Sequence, residues 1–545
     1  MADRVTQVLS LHRITPRCYD LTSVRTGSVR DQMVRATLLA HALIDTGVIA
    51  IDPRADEDGN LLDDEQTREE LTRLLILGAG VAGVSLALSA AERGANVIVV
   101  EEDSDPFSTI RGCYWRTVDP TEYDWPHPHW RTGALPIPGF KSTGPSLPMK
   151  LRRLHGAALA GVWSIDHNHV LFPPLPDSRV PHGAGSVTIL YGRNANDLTI
   201  DDRLAAQSVA YRAPGDTMLS VKGLAGTSPV EVSVNSSNWP PSFMSMRFAA
   251  IVSAIGFGDE VTSERPIPKA GAWNNYCGPR FWLDDDGIKR FGFFAALNNA
   301  KPTSILISGA GDGAMQDFQR VATGLFGLDL YDKIKATVPG RFAPEARIRD
   351  ALLAEDNGRR AHGWRPLGSS IEQALEYWHH EFELAVHEVW TSWTPTDQSL
   401  VVHTVLRPEV INGQQAIPPA GAIKISWITN ESAPSFSYGL NRFLSQLILE
   451  MIASLHQADI GTAVSPTFRT RHTITAIDPV FPHTCTCHAP SCYAKQHGVW
   501  ITDLASATKQ REVFDLILIR HGQEPSPLLG GASVPEQQVP FDIPC

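Results

Sequence analysis

The stretch over residues 73–103, RLLILGAGVAGVSLALSAAERGANVIVVEED, decides how the rest of the chain is interpreted. It opens with the apolar run LLIL, continues through closely spaced glycines, and closes with a second apolar run, NVIVV. Between the glycines and Gly94, apolar residues recur at helical spacing, with Val84, Leu88 and Ala91 on one face. Short apolar runs on either side of a helical pattern predict a β-α-β unit.

The glycines of this unit have the spacing of a phosphate-binding loop. Gly78 allows the tight turn, Gly80 allows close approach of a pyrophosphate, and Gly83 lets the helix pack against the strand. The helix N-terminus then offers unpaired N–H groups to the phosphates. Glu101 follows the second strand, where a carboxyl group accepts hydrogen bonds from ribose hydroxyls and disfavours a 2′-phosphate. We therefore predict a dinucleotide site, which we favour over a tight turn that binds nothing.

Composition excludes several other classes of protein. The chain has 545 residues, 43% hydrophobic and 19% charged, which is ordinary for several globular domains. Its formal charge of -12 gives no footprint for nucleic acid or for an anionic membrane. Seven cysteines spread over this length favour a reducing compartment, so we predict a cytoplasmic protein. The uncharged run at 74–91 contains three glycines, which argues against a membrane span, and the N-terminus lacks a secretory pattern.

We predict an α/β fold with four parts. Residues 1–70 form an N-terminal helical extension, 71–265 a β-α-β domain with an antiparallel excursion that includes the run VTILYG, 266–400 a second such unit followed by helices, and 401–545 a mixed α/β region. The extension is a candidate arm for binding a protein partner. FAAIVSAIG at 248–256 and FDLILIRHG at 514–522 each run from a phenylalanine through an apolar strand to a glycine. We interpret both as return strands that close one glycine-loop unit each.

The stretch at 73–103 resembles the N-terminal segment of the two-dinucleotide-domain flavoproteins, which include flavin monooxygenases, pyridine-nucleotide-dependent reductases and amine oxidases. AAIVSAIGFGDE resembles their later strand-plus-glycine segment. The resemblance implies a Rossmann-like FAD-binding domain with a second related α/β domain, bound FAD, and NAD(P)H as a candidate second cofactor. It implies that FAD is held by these residues: Gly78, Gly80, Gly83, Glu101, Arg111, Gly256 and Gly258. The second return strand adds Gly522 as a candidate.

Two departures from the family pattern bear on function. Where the family often has paired glycines, this chain has DPFSTIRGCYWR, which weakens the argument for Arg111. The second loop, GAGDGA at 309–314, carries Asp312, whose carboxylate would repel a pyrophosphate, unless it caps the following helix instead. We therefore predict a degenerate second site.

Three further groups of residues have more than one interpretation. The aromatic residues Trp115, Tyr123, Trp125 and Trp130 form either a wall beside the flavin or part of a core. Six residues between 483 and 497 form either a zinc site, a redox pair or an ordinary loop; they are His483, Cys485, Cys487, His488, Cys492 and His497. LILIRHGQ resembles the active-site start of histidine phosphatases but lies too near the end of the chain, so Arg520, His521 and Gly522 lie either at the ligand crevice or at an ordinary strand end.

The dinucleotide site together with the family resemblance thus implies an FAD-dependent oxidoreductase acting on a small or medium organic substrate. It is either an oxidase or dehydrogenase, or an NAD(P)H-dependent monooxygenase, and the degenerate second loop favours the former. The alternative is a flavin- or nucleotide-binding redox sensor that regulates a partner through residues 1–70. No metal site is assigned, and no catalytic residue is identified.

Overall fold

In the computed structural model the chain divides into two compact units. The first contains residues 1–112, 140–259 and 524–545, and the second contains residues 113–139 and 260–523. The predicted boundaries at 70, 265 and 400 stay predictions. The structure describes residues 2–15, 17–21, 29–51, 65–104, 106–111, 116–119, 122, 124–128, 130–131, 142–143, 164–166, 169–172, 185–201, 209–212, 218–222, 229–234, 239, 245–256, 276, 278–281, 302–361, 369–415, 421–434, 437–457, 467–478 and 496–521.

The first unit is built on an eight-stranded sheet whose central strands are parallel. Across the sheet the strands follow the order Arg13–Thr15, Cys18–Asp20, Ala250–Ser253, Arg73–Leu77, Asn96–Val100, Ser186–Leu190, His169–Phe172 and Ser164–Asp166. The strands from Cys18–Asp20 to Ser186–Leu190 pair in parallel, and the outer pairings are antiparallel. A parallel sheet of this kind is buried on both faces, which agrees with the apolar runs of its strands.

Helices and a second sheet complete the first unit. Its helices are Ala2–His12, Val29–Asp45, Glu65–Thr72, Val81–Glu92 and Ser108–Arg111. A smaller sheet has the strand order Val209–Arg212, Met218–Lys222, Leu198–Asp201, Val230–Val234 and Ser245–Phe248, and a short strand lies at Ser142–Thr143.

Two predictions for this unit need correction. The separate N-terminal arm is not confirmed, because Cys18–Asp20 pairs with Ala250–Ser253 inside the parallel sheet and the Val29–Asp45 helix packs against Val81–Glu92. The run at 187–192 does not belong to the antiparallel excursion. Its strand lies in the eight-stranded sheet, parallel to Asn96–Val100 on one side and antiparallel to His169–Phe172 on the other. An alternating apolar pattern shows which residues are buried but not which neighbouring strand buries them.

The second unit has a four-stranded sheet in which every pairing is parallel. The strand order is Phe468–Arg469, Lys424–Ile428, Ser304–Ser308 and Leu516–Ile519. An antiparallel sheet of His472–Ile477, His497–Asp503 and Lys509–Phe514 lies in the same unit, with a short strand at Thr117–Val118. Its helices are Asp312–Thr323, Gly327–Thr337, Glu345–Ala361, Ser369–Thr391, Pro395–Val405, Pro408–Gly413 and Gly439–Gln457.

Apolar helix faces cover this second sheet. Phe318, Phe443 and Trp427 are almost completely buried in one continuous core. The α/β fold class is therefore confirmed, with parallel sheets in both units. Among the described residues, no helix is long and apolar enough to cross a membrane.

Candidate cofactor site

The first glycine of the 78–83 loop occupies a position that only glycine fits. Gly78 has a φ of 100° and donates a 2.7 Å hydrogen bond to the carbonyl of Val100. A Cβ atom on Gly78 would lie 2.6 Å from the backbone oxygen of Ala254. Both the left-handed backbone and the close approach of the neighbouring strand therefore require glycine here.

The third glycine sets the distance between the helix and the loop. A Cβ atom on Gly83 would lie 2.0 Å from the carbonyl oxygen of Gly78. Any side chain would push the first turn of the Val81–Glu92 helix away from the strand. The tight turn therefore depends on Gly78 and Gly83 together.

The second glycine faces open space at the start of the helix. None of the described residues comes within 4 Å of a Cβ atom built on Gly80. Gly80 is also the N-cap residue, and no side chain of the described residues caps the Val81–Glu92 helix. Uncapped N–H groups at a helix N-terminus, with room for a ligand in front of them, fit a pyrophosphate group.

Glu101 lies beside the loop, directly after the second strand. Its Oε2 accepts a 2.5 Å hydrogen bond from the Ala79 N–H, and its Oε1 accepts one of 3.0 Å from the Asp103 N–H. The residue is 9% exposed, and burial raises the pKa of its carboxyl group, although both N–H donors act to lower it. A carboxylate has about four acceptor positions, so it retains capacity for ribose hydroxyls.

The remaining candidates divide into described and undescribed residues. Gly256 has a φ of 92° and follows the Ala250–Ser253 strand, where the Ala254 N–H donates to the Leu77 carbonyl at 2.7 Å. The structure therefore brings Gly256 to the same end of the sheet as Gly78. Arg111 ends the short helix Ser108–Arg111, and its side chain is not described. Gly258 and Gly522 lie outside the described residues.

Residues 73–109 match the model of a family described as an FAD binding domain. The matched segment is the β-α-β start of an FAD-binding domain, as it occurs in flavoproteins. The match confirms the resemblance seen in the sequence and FAD as the cofactor. Because FAD itself supplies hydride or electron transfer, the flavoprotein falls in the class of FAD-dependent oxidoreductases.

Solved structures with some similarity to this flavoprotein include three enzymes. Thioredoxin reductase from Lactococcus lactis is 11% identical, with 83% of this chain and 77% of that chain covered and a TM-score of 0.29. Ornithine N-hydroxylase from Kutzneria sp. 744 is 11% identical, with coverages of 83% and 81% and a TM-score of 0.29. Ornithine hydroxylase from Pseudomonas aeruginosa is 12% identical, with coverages of 84% and 83% and a TM-score of 0.29. No curated protein matched the chain.

The second glycine loop of the flavoprotein has a similar backbone and a similar glycine N-cap, but its helix carries an acid in the first turn. Gly309 has a φ of 138°, and a Cβ atom on it would lie 2.2 Å from the Arg520 carbonyl oxygen. The helix begins at Asp312, and its N-cap is Gly311, which has no side chain to act as a cap. The prediction that Asp312 caps this helix is therefore wrong.

The Asp312 side chain instead holds the start of another helix. Its Oδ1 accepts a 3.0 Å hydrogen bond from the Tyr438 N–H and one of 2.7 Å from Asn441 Nδ2. These contacts attach the 312–323 helix to the Gly439–Gln457 helix. The carboxyl group thus has donors of its own within the protein.

A buried charge cluster next to this loop was not predicted from the sequence. Asp317 is fully buried, and its Oδ1 and Oδ2 accept hydrogen bonds of 2.6 Å from Arg116 Nη2 and Arg520 Nε. Arg320 Nη1 lies 3.6 Å from the same carboxylate. Burial alone would raise the pKa of Asp317, but these three arginines outweigh it and lower the pKa to about 2. Arg520 is therefore buried against Asp317, which disagrees with its placement at a ligand crevice and agrees with an ordinary strand end.

No local sequence pattern could have revealed this cluster. Asp317 is separated from Arg116 by 201 residues and from Arg520 by 203 residues. Arg116 also donates from Nε to the Phe281 carbonyl at 2.7 Å and lies over the Phe281 ring. The contacts join four segments that meet only in the folded second unit.

His521 and Ser308 lie at the carboxyl ends of two neighbouring strands of the second sheet. Ser308 Oγ and His521 Nε2 are 2.9 Å apart, and burial lowers the pKa of His521. Nothing in this contact favours phosphoryl transfer.

The aromatic residues before Arg131 belong to a core. Trp125 is 2% exposed and stacks on Phe443 with ring centroids 5.1 Å apart, while Trp130 packs edge-on against Tyr331 at 5.2 Å. The core interpretation is confirmed for Trp125, and Trp130 is partly buried against the same core. Trp115 and Tyr123 lie outside the described residues.

The cysteine and histidine group at 483–497 is mostly outside the described residues, which include only His497. His497 lies in the strand His497–Asp503, with its ring edge-on to Tyr276 at 4.9 Å. Within the part of the chain that the structure describes, no group of three His, Cys, Asp or Glu side chains could hold a metal ion.

Proposed function

We propose that this flavoprotein is an oxidase or dehydrogenase that accepts electrons from a small or medium organic substrate. The observation that carries this proposal is the difference between the two helix starts. The first presents uncapped N–H groups behind Gly80, which suits the pyrophosphate of FAD. The second carries the carboxyl group of Asp312 in its first turn, which disfavours an anionic nicotinamide nucleotide.

The end of the following strand supports the same proposal. Glu101 follows Asn96–Val100 in the first unit, and its carboxyl group is available to a ribose. Thr429 takes this place after Lys424–Ile428, and its Oγ1 accepts a hydrogen bond from the Glu431 N–H. The second unit thus lacks a strand-end acid in this position, which is the group that would hold a ribose.

In this proposal the FAD is held by the residues inferred from the sequence. The loop glycines Gly78, Gly80 and Gly83 shape the pyrophosphate site, and Glu101 accepts from the adenosine ribose. Gly256 lies at the same edge of the sheet. Arg111, Gly258 and Gly522 stay predictions for further contacts.

The second candidate is an NAD(P)H-dependent monooxygenase, which one observation favours. Gly309 keeps the positive φ of a phosphate loop, and none of the described residues comes within 4 Å of a Cβ atom on Gly311. The backbone of the second loop therefore retains the shape that a nucleotide needs.

The sensor alternative loses its main support. It relied on residues 1–70 as a free arm for a protein partner, yet Cys18–Asp20 is a strand of the FAD-binding sheet. Deleting residues 1–70 would remove this strand, so the deletion could not separate regulation from folding.

The first test is the visible spectrum of the purified protein, followed by anaerobic titration with NADH and NADPH. Bound flavin should give maxima near roughly 370 and 450 nm. Our proposal expects this yellow colour to persist with either nucleotide and to bleach with dithionite, an inorganic reductant of flavins. Rapid bleaching by NADPH or NADH would favour the monooxygenase. A colourless protein that takes up no added FAD would overturn both candidates.

A further inference from the structure

Tyr191 is a buried polar side chain near the candidate FAD site that the sequence patterns did not single out. The residue is only 6% exposed, and its hydroxyl group has no hydrogen-bond partner among the residues that the structure describes. Buried hydroxyl groups nearly always have a partner, so an exception calls for an explanation. A bound ligand would supply one.

The pairing of two strands places Tyr191 beside Glu101. The parallel strands Asn96–Val100 and Ser186–Leu190 are in register, with Val100 opposite Leu190. Glu101 and Tyr191 directly follow these two strands. Because the strands are in register, the two side chains lie on the same face at the carboxyl end of the sheet. The Glu101 N–H donates to the Leu190 carbonyl at 2.9 Å, which continues the pairing one residue further.

The electrostatic surroundings keep the Tyr191 phenol protonated. Burial raises its pKa, and the negative charge of Glu101 raises it further. A protonated phenol can donate one hydrogen bond and accept others. The donors to Glu101 are instead the N–H groups of Ala79 and Asp103. A polar group placed beside both side chains would therefore meet an acceptor with remaining capacity, the Glu101 carboxylate. It would also meet a donor, the Tyr191 hydroxyl group, that has no partner among the described residues.

We propose that Tyr191 donates a hydrogen bond to the adenosine ribose of FAD, while the neighbouring Glu101 accepts one from a ribose hydroxyl. A ribose fits this pair because each of its hydroxyl groups both donates and accepts. The inference rests on FAD binding at the 78–83 loop and adds a contact on the ADP half of that cofactor.

The test measures the affinity of the apoprotein for FAD and for ADP, which lacks the flavin. We expect Tyr191→Phe to weaken the binding of both ligands by roughly 3- to 10-fold, since one hydrogen bond is lost. The melting temperature of the apoprotein should stay the same or rise, because the change removes a hydroxyl group without a partner. Equal affinities of Tyr191→Phe and the wild type for both ligands would overturn the inference.

Tyr276→Phe is the matched control in the second unit. The Tyr276 hydroxyl group already donates to the Ile517 carbonyl at 2.5 Å. This variant should therefore have a lower melting temperature and an unchanged affinity for FAD. A loss of FAD affinity equal to that of Tyr191→Phe would show that the effect is general and would overturn the assignment.

Deoxyribose analogues locate the contact and use the wild-type protein as well. The wild type should prefer ADP over 2′-deoxy-ADP or 3′-deoxy-ADP, and Tyr191→Phe should show a smaller preference. The same preference in both proteins would place the tyrosine away from the ribose and overturn the proposal. If the wild type binds neither FAD nor ADP, the proposed function fails first, so the two failures are distinguishable.

Discussion

The two glycine loops of this flavoprotein share one backbone arrangement. Gly78 donates to the Val100 carbonyl at 2.7 Å, and Gly309 donates to the Ile428 carbonyl at 3.0 Å. A Cβ atom on either glycine would meet the backbone oxygen of a return strand, at Ala254 or at Arg520. Both return strands pair in parallel with the strand that enters the loop. The echo between 248–256 and 514–522 therefore reflects a real similarity in strand pairing.

Side chains distinguish the two loops. Gly83 of the first loop has no room for a Cβ atom, whereas the corresponding residue of the second loop, Ala314, fits while fully buried. Leu86 lies six residues after Gly80 and is buried in the first helix. Asp317 lies six residues after Gly311 and is buried in the second helix. The first helix is thus held by close packing of backbone, and the second by buried charge. The backbone arrangement of a glycine loop can therefore persist while the side chains that suit a ligand are replaced.

The largest expected effect comes from Asp317→Ala in the second unit. The change leaves Arg116, Arg320 and Arg520 without their shared carboxylate, and breaking a buried ion pair costs about 3–5 kcal/mol. Chemical denaturation followed by tryptophan fluorescence would measure this loss. Leu86→Ala, at the corresponding place, should destabilise the first unit by about 2–5 kcal/mol. Equal protection of the second unit in hydrogen exchange, with and without Asp317, would contradict the prediction.

The pH dependence of stability should separate the two units. The pKa of Asp317 is about 2 in the folded protein and ordinarily 3.8, so the unfolded chain binds more protons between these values. Stability of the second unit should fall as the pH drops from about 4 to 2. Burial, then the charge of Arg35, lower the pKa of His12 from 6.5 to about 4. Stability of the first unit should therefore fall already between pH 6.5 and 4.

Hydrogen exchange at a series of pH values would test these two windows. Asp317→Asn should remove the loss between pH 4 and 2, and His12→Gln the loss between pH 6.5 and 4. Burial also lowers the pKa of His521 in the second unit, so each window is judged by the matching variant. Identical pH profiles for a variant and the wild type would refute that assignment.

Glu101→Gln tests whether the acid at the end of the Asn96–Val100 strand contributes to FAD binding. The change removes a charged acceptor, so FAD binding should weaken by about 1.5–3 kcal/mol, or roughly 10- to 150-fold. Fluorescence titration of the apoprotein with FAD measures this. Thr429→Val, at the corresponding place in the second unit, should leave FAD affinity unchanged. A similar loss in both variants would mean that Glu101 acts only through general stability.

Gly83→Ala tests the packing of the first helix. The new Cβ atom would lie 2.0 Å from the Gly78 carbonyl oxygen, and such overpacking costs about 1–3 kcal/mol. FAD should bind at least about tenfold more weakly because the loop must open. Gly313→Ala is the control, since its Cβ atom would lie 3.4 Å from the Phe281 ring, an ordinary contact. If both variants retain FAD equally, close packing at Gly83 is not needed.

Asp312→Asn should have the smallest effect. The amide keeps an oxygen for Tyr438 N–H and Asn441 Nδ2 but loses the charge, so the second unit should lose about 0.5–1.5 kcal/mol. Removing this charge should also raise the affinity of the second loop for NADPH, measured by fluorescence quenching. A weaker affinity for NADPH would show that Asp312 supports a nucleotide in this loop and would favour the monooxygenase.

The sequence by itself determined the local parts of the molecule. The strand, loop and helix from Arg73 to Glu92 follow from apolar periodicity and from glycines whose backbone requirement is local. The same patterns located the second loop and both return strands. FAD as the cofactor followed from a resemblance carried by residues 73–103 and by the segment AAIVSAIGFGDE. Information of this kind is local because hydrogen bonding and side-chain direction repeat over a few residues.

The tertiary structure alone decided which distant segments meet. It brought Cys18–Asp20 into the first sheet, joined Arg116 to Asp317 across 201 residues, and placed Tyr191 beside Glu101 through strand register. Such contacts are set by packing and buried charge, whose partners have no fixed spacing along the chain. They could not be predicted from a single sequence, because its patterns show which side chains are buried and not which segment buries them.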